Sequence, residues 1–345
     1  MLIPSTPWGT GNTKHFFNLT PEIILQAVER TGIRCTGRCL TLNSMENRVY
    51  EVERDLDDPS AVKTPSDRFV VVKFYRPGRW SKTQIQQEHG FLADLIDADI
   101  PVVAPLPDEN GETVHFFKEL DLYYCVFPKV GGRSPDELDD EMSERIGRLL
   151  ARMHGIGSIK DAPDRIRLTP QSYGLDNLKW LIDSKTLPEE HRTRYQRAVE
   201  MICQISAPWF AAAKMQRIHG DCHLGNLLWG SYGPFWVDFD DMVVGPPVQD
   251  IWLMIPGRDD WAQQKMRAVL KGYEMMRPLD RSTLRLIEPL RALRFVHFAA
   301  WIGKRWDDPS FPKGFPNYGT TRWWQEQIRD LEEQLAVTQE NPWSQ

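Results

Sequence analysis

Short apolar stretches separated by polar gaps dominate the first third of the chain. Alternating apolar and polar positions over roughly four to eight residues are typical of strands in a half-buried sheet. The pattern predicts strands at residues 38–43, 48–56, 68–77, 113–120 and 122–128. It also predicts a helix over 21–31, with Pro21 in its first turn, and a helix from Ser81, where Ser81 and Gln84 fit a capping box.

From Pro135 onward the pattern changes to long helices, interrupted by one mixed segment at 218–241. A strand-rich part followed by a helix-rich part predicts an α+β protein with two lobes. The length of 345 residues also predicts two lobes, because a chain of this length usually has more than one hydrophobic core. We place a β-rich N-lobe at residues 1–128 and a helical C-lobe at 129–345, with a hinge near 127–133.

A lysine and a glutamate occupy positions where apolar residues are expected. In FVVVKFY, residues 69–75, both faces of the strand are apolar, so Lys73 falls in a buried strand. On the next helix Glu88 shares a stripe with Ile85 and Leu92. These charges predict an ion pair in which Glu88 orients Lys73 toward an anion such as a phosphate. The alternatives are an edge-strand lysine that reaches water and a solvated glutamate at the edge of the stripe.

Composition and charge exclude several classes of protein. The net charge of −6 argues against nucleic acid or an anionic membrane as the main partner, because both require a basic face. The sequence shows no signal peptide pattern and no apolar run of membrane-spanning length, so we expect a cytoplasmic protein. Five scattered cysteines are typical of reduced thiols. Cys35 and Cys39 have no second close pair downstream, which argues against a structural zinc site.

The segment IHGDCHLGNLLWGSYGPFWVDFDD, residues 218–241, combines carboxylates with apolar residues. Apolar runs on both sides of GSYGP predict a β-hairpin. With the turn centred on Tyr232, Asn226 faces Asp238 at the open end of the hairpin. An amide oxygen and a carboxylate are hard ligands of the kind that Mg²⁺ takes together with substrate phosphate and water. Asp221, in the incoming loop, is a candidate base or orienting group for an acceptor hydroxyl.

The two histidines of this segment have a competing interpretation. The separation of His219 and His223 would suit a zinc pair on a helix, but Gly220 lies between them and no third ligand follows at a suitable spacing. We expect His219 to be a packed scaffold residue and His223 to lie near the site without a ligand role. Cys222 gives no signal of a reactive thiol, because no side chain that could act as its base lies at a recognisable spacing.

Residues 219–226 and 237–240 resemble the catalytic and metal-binding loops of the protein-kinase-like fold, in the form found in aminoglycoside phosphotransferases and choline kinases. Protein kinases have the same interval between aspartate and asparagine, followed by Asp-Phe-Gly. In this chain Asp240 replaces that glycine. Two alternatives stay open for Asp240: an auxiliary group near the metal, or a salt bridge on the lobe surface.

Longer motifs resemble a narrower family, the bacterial stress response kinase A family of serine/threonine protein kinases. They are LNSMENRVYEV, FVVVKFYRPGRW, VFPKVGGR, GPPVQDIWLM, IEPLRALRFVHFAAW and RWDDPSFPKGFP. The resemblance implies a bilobal protein-kinase-like fold, ATP as co-substrate and Mg²⁺ as cofactor. It implies a protein acceptor, either another protein or the kinase itself through autophosphorylation, and we expect a monomer.

The resemblance also implies roles for individual residues. Asp221 matches the proton-accepting aspartate. Asn226 and Asp238 match the magnesium ligands, and Asp238 is also counted as catalytic. Lys73 and Glu88 match the pair that steadies the α- and β-phosphates of ATP.

The loop expected to cover ATP contains no glycine in this chain. Ser44 lies in this loop, and we expect Ser44, Asn47 and backbone N–H groups to contact phosphate there. Phe127, where the lobes are expected to meet, is also expected among the nucleotide-binding residues. Asp250 matches a buried aspartate that ties the catalytic loop to the large lobe, and the alternative is a helix N-terminal acid favoured by the dipole.

In the C-terminal part, apolar residues at helical spacing from Leu286 to Trp301 predict a packed helix face. Arg291 and Arg294 lie beside this face. They either meet an acidic or phosphorylated substrate or are solvated surface arginines.

Three functions compete at this point. The first, favoured by the family resemblance, is an ATP-dependent serine/threonine protein kinase. The second is a small-molecule kinase for an aminoglycoside, choline or homoserine. The third is a catalytically inactive nucleotide sensor, against which the complete set of expected catalytic residues speaks.

Overall fold

The computed structural model of the chain describes residues 13–58, 62–230 and 233–340. The chain forms two compact units. The first comprises Met1–Ser134 and Leu227–Asp240, and the second comprises Pro135–Asn226 and Asp241–Gln345. A sheet in the N-terminal part and helices in the C-terminal part confirm the α+β prediction. The lobe boundary at residue 128 stays a prediction, since the first unit also includes 227–240.

The secondary structure elements are numbered in chain order. The strands in the described residues are β1 (Cys35–Leu42), β2 (Arg48–Arg54), β3 (Phe69–Phe74), β4 (His115–Phe117), β5 (Leu122–Pro128), β6 (Gln216–Ile218), β7 (Leu227–Gly230), β8 (Gly233–Trp236) and β9 (Val243–Gly245). The helices there are α1 (Pro21–Glu29), α2 (Lys82–Asp97), α3 (Asp140–Gly157), α4 (Asp176–Asp183), α5 (Glu189–Ala212), α6 (Val248–Met254), α7 (Asp260–Met276), α8 (Ile287–Gly303), α9 (Ser310–Gly314) and α10 (Thr321–Glu340).

An antiparallel sheet with the strand order β1-β2-β3-β5-β4 forms the first unit's framework. The N-terminal helix α1 packs on the sheet, and its Ile24, Ala27 and Val28 join a buried apolar cluster with residues of the inner strands. β3 is the middle strand of the sheet. The edge-strand alternative for Lys73 is therefore wrong.

Helix α2 begins at the predicted capping box. The Ser81 hydroxyl accepts a hydrogen bond from the Gln84 backbone N–H at 3.2 Å, and the Gln84 side-chain oxygen accepts one from the Ser81 N–H at 2.9 Å. Two backbone donors that the helix cannot satisfy are thereby paired. The cap sets the start of the helix and hence the position of Glu88 on it.

The predicted hairpin is present as β7 and β8, but its register differs from the prediction by one residue. The ladder pairs Leu227 with Trp236 and Gly230 with Gly233. The ladder ends at Leu227 and Trp236, so the register assumed for the hairpin is wrong by one residue, while the facing of Asn226 and Asp238 stays a prediction. The prediction assumed a turn centred on Tyr232, which lies outside the described residues.

Two helices of the second unit approach each other closely through glycines. A Cβ on Gly147 of α3 would lie 2.0 Å from the Val269 carbonyl oxygen of α7, and one on Gly272 would lie 2.0 Å from that of Glu144. Only glycine permits this approach. The contact brings His154 of α3 and Tyr273 of α7 within hydrogen-bonding distance, 3.0 Å.

None of the helices in the described residues is both long and apolar enough to cross a membrane.

Candidate active site

Lys73 and Glu88 form a buried ion pair inside the first unit. Lys73 lies on the central strand β3, where its side chain is 7% exposed, and Glu88 on α2 is fully buried. Lys73 Nζ lies 3.2 Å from Glu88 Oε1. The predicted pair is confirmed as a contact, and the alternative of a solvated glutamate at the edge of α2 is wrong. Its role toward phosphate stays a prediction.

A second carboxylate reaches the same lysine. Asp240 Oδ1 lies 3.6 Å from Lys73 Nζ, and Arg79 pairs with Asp240 Oδ2. Because both Asp240 and Arg79 are only 3% exposed, the alternative of a surface salt bridge for Asp240 is wrong. Burial alone would lower the pKa of Lys73, but the charges of Glu88 and Asp240 outweigh it and raise that pKa above its ordinary value. The ammonium group therefore stays charged at neutral pH.

Aromatic rings line the approach to this ammonium group. Lys73 Nζ lies 4.5 Å from the ring centre of Tyr75 and 5.4 Å from that of Phe127 on β5. Both distances suit an attraction between the cation and the ring face. The structure thus places Phe127 beside Lys73, and its role toward the nucleotide stays a prediction.

The glycine-free loop between β1 and β2 is tied to the segment after β3. The Ser44 hydroxyl accepts a hydrogen bond from the Asn47 N–H at 3.3 Å, and the buried Asn47 side-chain oxygen accepts one from the Arg76 N–H at 3.1 Å. Glu46 Oε1 lies 3.1 Å from Arg76 Nε and 3.6 Å from Arg79 Nη1. The side-chain oxygen of Asn47 therefore holds the loop in place. Direct phosphate contact by Ser44 or Asn47 stays a prediction.

Asp238 has a backbone conformation that few residues other than glycine adopt. Its φ angle is +60°, which costs an L-residue about 1–2 kcal/mol. The next residue, Phe239, is 1% exposed, and its ring packs on Phe91 at a centroid distance of 5.8 Å. Asp238 itself is exposed. The buried ring and the buried Asp240 hold the chain in this conformation on either side of the exposed Asp238.

In the second unit, Asp250 of α6 organises the loop that carries Asp221. The fully buried Asp250 carboxylate accepts hydrogen bonds from the His219 N–H at 2.9 Å and the Gly220 N–H at 2.8 Å. His154 Nε2 donates to the same carboxylate at 3.0 Å. Asp250 therefore ties the loop to α6 and α3. It is more than an acidic residue at a helix N-terminus that the helix dipole favours.

Gly220 has a conformation and a position that require glycine. Its φ angle is +86°, and a Cβ would lie 2.3 Å from the Asp241 carbonyl oxygen. Gln249 Nε2 donates to the Gly220 carbonyl oxygen at 3.0 Å. The turn before Asp221 is thus fixed from both sides. His219 is fully buried and serves as scaffold, as predicted.

Asp221 is held by two basic side chains of the same unit. Arg294 Nη2 of α8 lies 2.9 Å from Asp221 Oδ1, and His223 Nε2 lies 3.4 Å from Asp221 Oδ2. His223 Nδ1 accepts the Gly225 N–H at 2.9 Å, which places the ring proton on Nε2, toward Asp221. Burial would raise the pKa of Asp221, but His223 and Arg294 outweigh it and lower that pKa below its ordinary range.

The oxygen donors predicted for Mg²⁺ fit that ion. Asn226 Nδ2 donates to the Asp221 carbonyl oxygen at 3.0 Å, so the amide is oriented and its oxygen is the end that can bind a cation. Asp238 presents an exposed carboxylate. Hard oxygen donors of this kind suit Mg²⁺, which completes its shell with phosphate and water. In the described ranges no cluster of three or more His, Cys, Asp or Glu side chains could hold a metal ion.

Sequence patterns did not indicate two of the site residues, Arg79 and His154. Arg79 pairs with Asp240 although 161 positions separate them, and no local pattern connects the two. His154 contacts Asp250 from another helix. Arg294 was singled out as a basic residue beside a packed face, but its contact with Asp221 was not predicted. The available signal for Arg79 was a second basic residue, after Arg76, within a mostly apolar segment.

The chain is similar to known proteins over most of its length. A model of the phosphotransferase enzyme family matches residues 42–279. Stress response kinase A of Escherichia coli (strain K12) is 37% identical over 330 residues, covering 95% of this chain and 96% of that protein. The serine/threonine protein kinase RdoA of Salmonella typhimurium (strain LT2) is 35% identical over 334 residues, covering 96% and 97%.

Solved structures show the same fold at low identity. The amicoumacin kinase hAmiN, in complex with AMP-PNP, Ca²⁺ and Ami, has a TM-score of 0.69 at 20% identity, over 91% of this chain and 93% of that one. A microcompartment-associated aminopropanol kinase has a TM-score of 0.67 at 19% identity, over 93% and 97%. The family model and the two relatives of 35–37% identity show that the chain belongs to the phosphotransferase enzyme family, and those two relatives, similar over nearly its full length, are named as a stress response kinase and a serine/threonine protein kinase.

Proposed function

We propose that this protein is an ATP- and Mg²⁺-dependent serine/threonine protein kinase of the stress response type. The observation that carries the proposal is the sequence identity of 35–37%, over nearly the whole chain, to proteins named stress response kinase A and serine/threonine protein kinase RdoA. The small-molecule kinases share the fold at only 19–20% identity. The buried Lys73–Glu88 pair and the ordered Asp221 loop supply the side chains that such a reaction requires.

Lys73 is the proposed contact to the α- and β-phosphates of ATP. Its ammonium group stays charged because Glu88 and Asp240 lie beside it, and the two carboxylates also restrict its rotation. Ser44, Asn47 and Phe127 are proposed to border the nucleotide. Ser44 and Asn47 act mainly by holding their loop to Arg76.

Asn226 and Asp238 are the proposed ligands of Mg²⁺, through an amide oxygen and a carboxylate. The ion, when bound, offsets the negative charge of the phosphates during transfer. Asp238 presents its carboxylate from a strained backbone position, and Asn226 is oriented by the Asp221 carbonyl.

Asp221 orients the acceptor hydroxyl and takes its proton. As the bond forms between the acceptor oxygen and the γ-phosphorus, the bond from that phosphorus to the β–γ bridging oxygen breaks, and its electron pair leaves with ADP. The lowered pKa of Asp221 makes it a weak base. That is compatible with phosphoryl transfer, which depends mostly on positioning and charge.

The second candidate is a small-molecule kinase, and one observation favours it: the amicoumacin and aminopropanol kinases have TM-scores of 0.69 and 0.67. The catalytic side chains would be the same and only the acceptor would differ.

We further propose a cytoplasmic monomer. The five free thiols, at Cys35, Cys39, Cys125, Cys203 and Cys222, suit a reducing compartment.

The test is incubation of the purified protein with labelled ATP and Mg²⁺, alone, with a generic protein substrate, and with small alcohols. Label on protein is the expected result. Label on the alcohols alone contradicts the protein-kinase proposal and supports the second candidate, and no label at all indicates a nucleotide sensor. Asp221→Asn should bind ATP but lose most turnover. Asp57→Asn, at a position 86% exposed, is the matched control and should keep full activity.

A further inference from the structure

Two arginines on α8 have different surroundings. Arg291 is 13% exposed, donates to the Pro256 carbonyl oxygen at 2.5 Å and lies 3.4 Å from Glu288 Oε2, so it serves to hold neighbouring segments together. Arg294, one turn later, is 40% exposed and lies 2.9 Å from Asp221 Oδ1. A structural arginine and an arginine at the reaction centre thus lie on the same helix.

An arginine and a histidine lie beside the Asp221 carboxylate. Their nitrogen atoms lie 2.9 Å (Arg294) and 3.4 Å (His223) from its oxygens, and the two side chains are about two-fifths exposed, at 40% and 41%. An acceptor whose hydroxyl reaches Asp221 must place its neighbouring groups near these two side chains. Arg294 is the more exposed member of its ion pair with Asp221, at 40% against 22%, so the guanidinium charge faces the neighbouring groups of the acceptor; it repels a positive charge there and attracts a negative one.

An aromatic surface continues from Arg294 along α8. Phe298 and Trp301 follow it by four and seven residues on the same helix face, about 6 Å and 10 Å along the axis. Their rings stack at 5.6 Å with an interplanar angle of 17°, and Phe298 is 40% exposed. Phe315 packs edge-on against both rings. In an extended peptide, about two or three residues span this distance.

We propose that Arg294 determines the charge of the acceptor that this kinase accepts. The acceptor is a serine or threonine of a polypeptide with an acidic residue next to the hydroxyl and an apolar residue two or three positions away, against the exposed ring of Phe298 that stacks on Trp301. This inference rests on the proposed function and specifies its substrate class. The transfer step is the one described above, with the acceptor oxygen being the Ser or Thr side-chain oxygen and its proton passing to Asp221.

The aromatic surface alone does not distinguish an apolar side chain from an alkylammonium group, because ring faces attract both. Arg294 makes the distinction. Amino sugars and amino alcohols are cations at neutral pH, and a cation near the reacting hydroxyl would meet the guanidinium group. The same charge that disfavours these acceptors favours glutamate or aspartate beside the phosphorylated residue.

The experiment compares three serine peptides that differ at one residue beside the serine, which is Glu, Gln or Lys, with an apolar residue at the third position. The measured quantity is the ratio of kcat/KM for the Glu and Lys peptides. Wild type should prefer Glu by about tenfold or more. Arg294→Lys keeps the charge and should keep the preference, Arg294→Gln should bring the ratio near one, and Arg294→Glu should reverse it. Arg322→Gln, at a side chain 89% exposed on α10, is the control for loss of one positive charge.

A role of Arg294 in positioning Asp221 alone would lower kcat for all three peptides equally. Peptide phosphorylation without a Glu preference, or a preference unchanged in Arg294→Gln, overturns the inference while leaving the proposed function intact. Faster transfer to ethanolamine than to any peptide overturns both. Melting temperatures show whether each variant folds, and the wild-type peptide ratio tests the inference even where a variant does not.

Discussion

Lys73 Nζ lies 3.6 Å from Asp240 Oδ1 and 3.2 Å from Glu88 Oε1, so one buried ammonium group serves two carboxylates. Arg79 supplies the second positive charge, on the other oxygen of Asp240. These four buried charges sum to zero. Asp240 occupies the position where protein kinases have glycine, and it joins the segment that carries Asp238 to the strand that carries Lys73.

Asp240→Asn should destabilise the protein, because it removes the carboxylate charge that pairs with the buried Arg79 and lies 3.6 Å from the buried Lys73 Nζ. Loss of one member of a buried pair typically costs about 3–5 kcal/mol. Urea unfolding measures the change. A double-mutant cycle tests the coupling. The double variant Arg79→Met/Asp240→Leu should lose less stability than the sum of the losses in the single variants Arg79→Met and Asp240→Leu. Additive losses, or an Asp240→Asn variant as stable as wild type, would contradict the coupling.

Asp238→Asn should lose Mg²⁺-dependent turnover without losing stability. Asparagine tolerates the left-handed backbone better than other non-glycine residues, so φ of +60° is retained at no added strain. An amide is a weaker Mg²⁺ ligand than a carboxylate. The measurement is turnover against Mg²⁺ concentration, with the melting temperature beside it. Unchanged Mg²⁺ dependence would exclude Asp238 as a ligand.

Asp250→Asn should disorder the Asp221 loop, since an amide nitrogen would face the N–H group of His219 or Gly220. Each buried donor left without an acceptor costs about 1–3 kcal/mol. We expect kcat to fall strongly while the affinity for ATP changes little, because Lys73 belongs to the other unit. Steady-state kinetics and ATP binding separate the two effects. An equal loss of both would mean that the variant fails to fold locally.

Gly147→Ala should destabilise the second unit, because the new methyl group would lie 2.0 Å from the Val269 carbonyl oxygen. Overpacking of this kind costs about 1–3 kcal/mol or more. Gly155→Ala on the same helix is the matched control. A Cβ there meets nothing within 4 Å, so alanine should be neutral or stabilising by about 0.5–1 kcal/mol. Chemical denaturation of both variants gives the comparison, and equal stabilities would contradict the close approach of α3 and α7.

The amine of Lys304 should make stability depend on pH. Lys304 Nζ donates to Asn177 Oδ1 at 2.8 Å and lies 5.3 Å from the centre of the Trp180 ring. Burial, with a smaller effect from Arg305, lowers the pKa of Lys304 from 10.5 to about 7. Between these values the unfolded chain binds a proton that the folded chain does not, so stability rises with pH through this window.

Lys304→Met removes this dependence, so the stability difference between wild type and variant should change in favour of wild type from pH 7 to pH 9. Urea midpoints at each pH measure it. Lys179→Met, at a side chain 74% exposed, should leave the pH dependence of wild type unaltered. A difference between wild type and Lys304→Met that is constant with pH would mean that Lys304 titrates normally.

Local patterns predicted much of the fold. The strand LYYCVFP matches β5 from Leu122 to Pro128, and the capping box at Ser81 has the predicted hydrogen bonds. Lys73 and Glu88 were paired from their positions alone, because a charge at an apolar position needs a partner and the two lie on consecutive elements. The hairpin was predicted, but its register was not, since one residue in a turn shifts every cross-strand pair.

The sequence by itself determined the order of strands and helices, the two-part organisation, the family and the candidate residues for phosphate, metal and acceptor. These depend on periodicity, on caps and on motifs whose residues are close together in the chain. Only the tertiary structure decided which charges meet: Arg79 with Asp240, His154 with Asp250, and Arg294 with Asp221. Such pairs join residues far apart in the chain, and their distances follow from how the strands and helices pack.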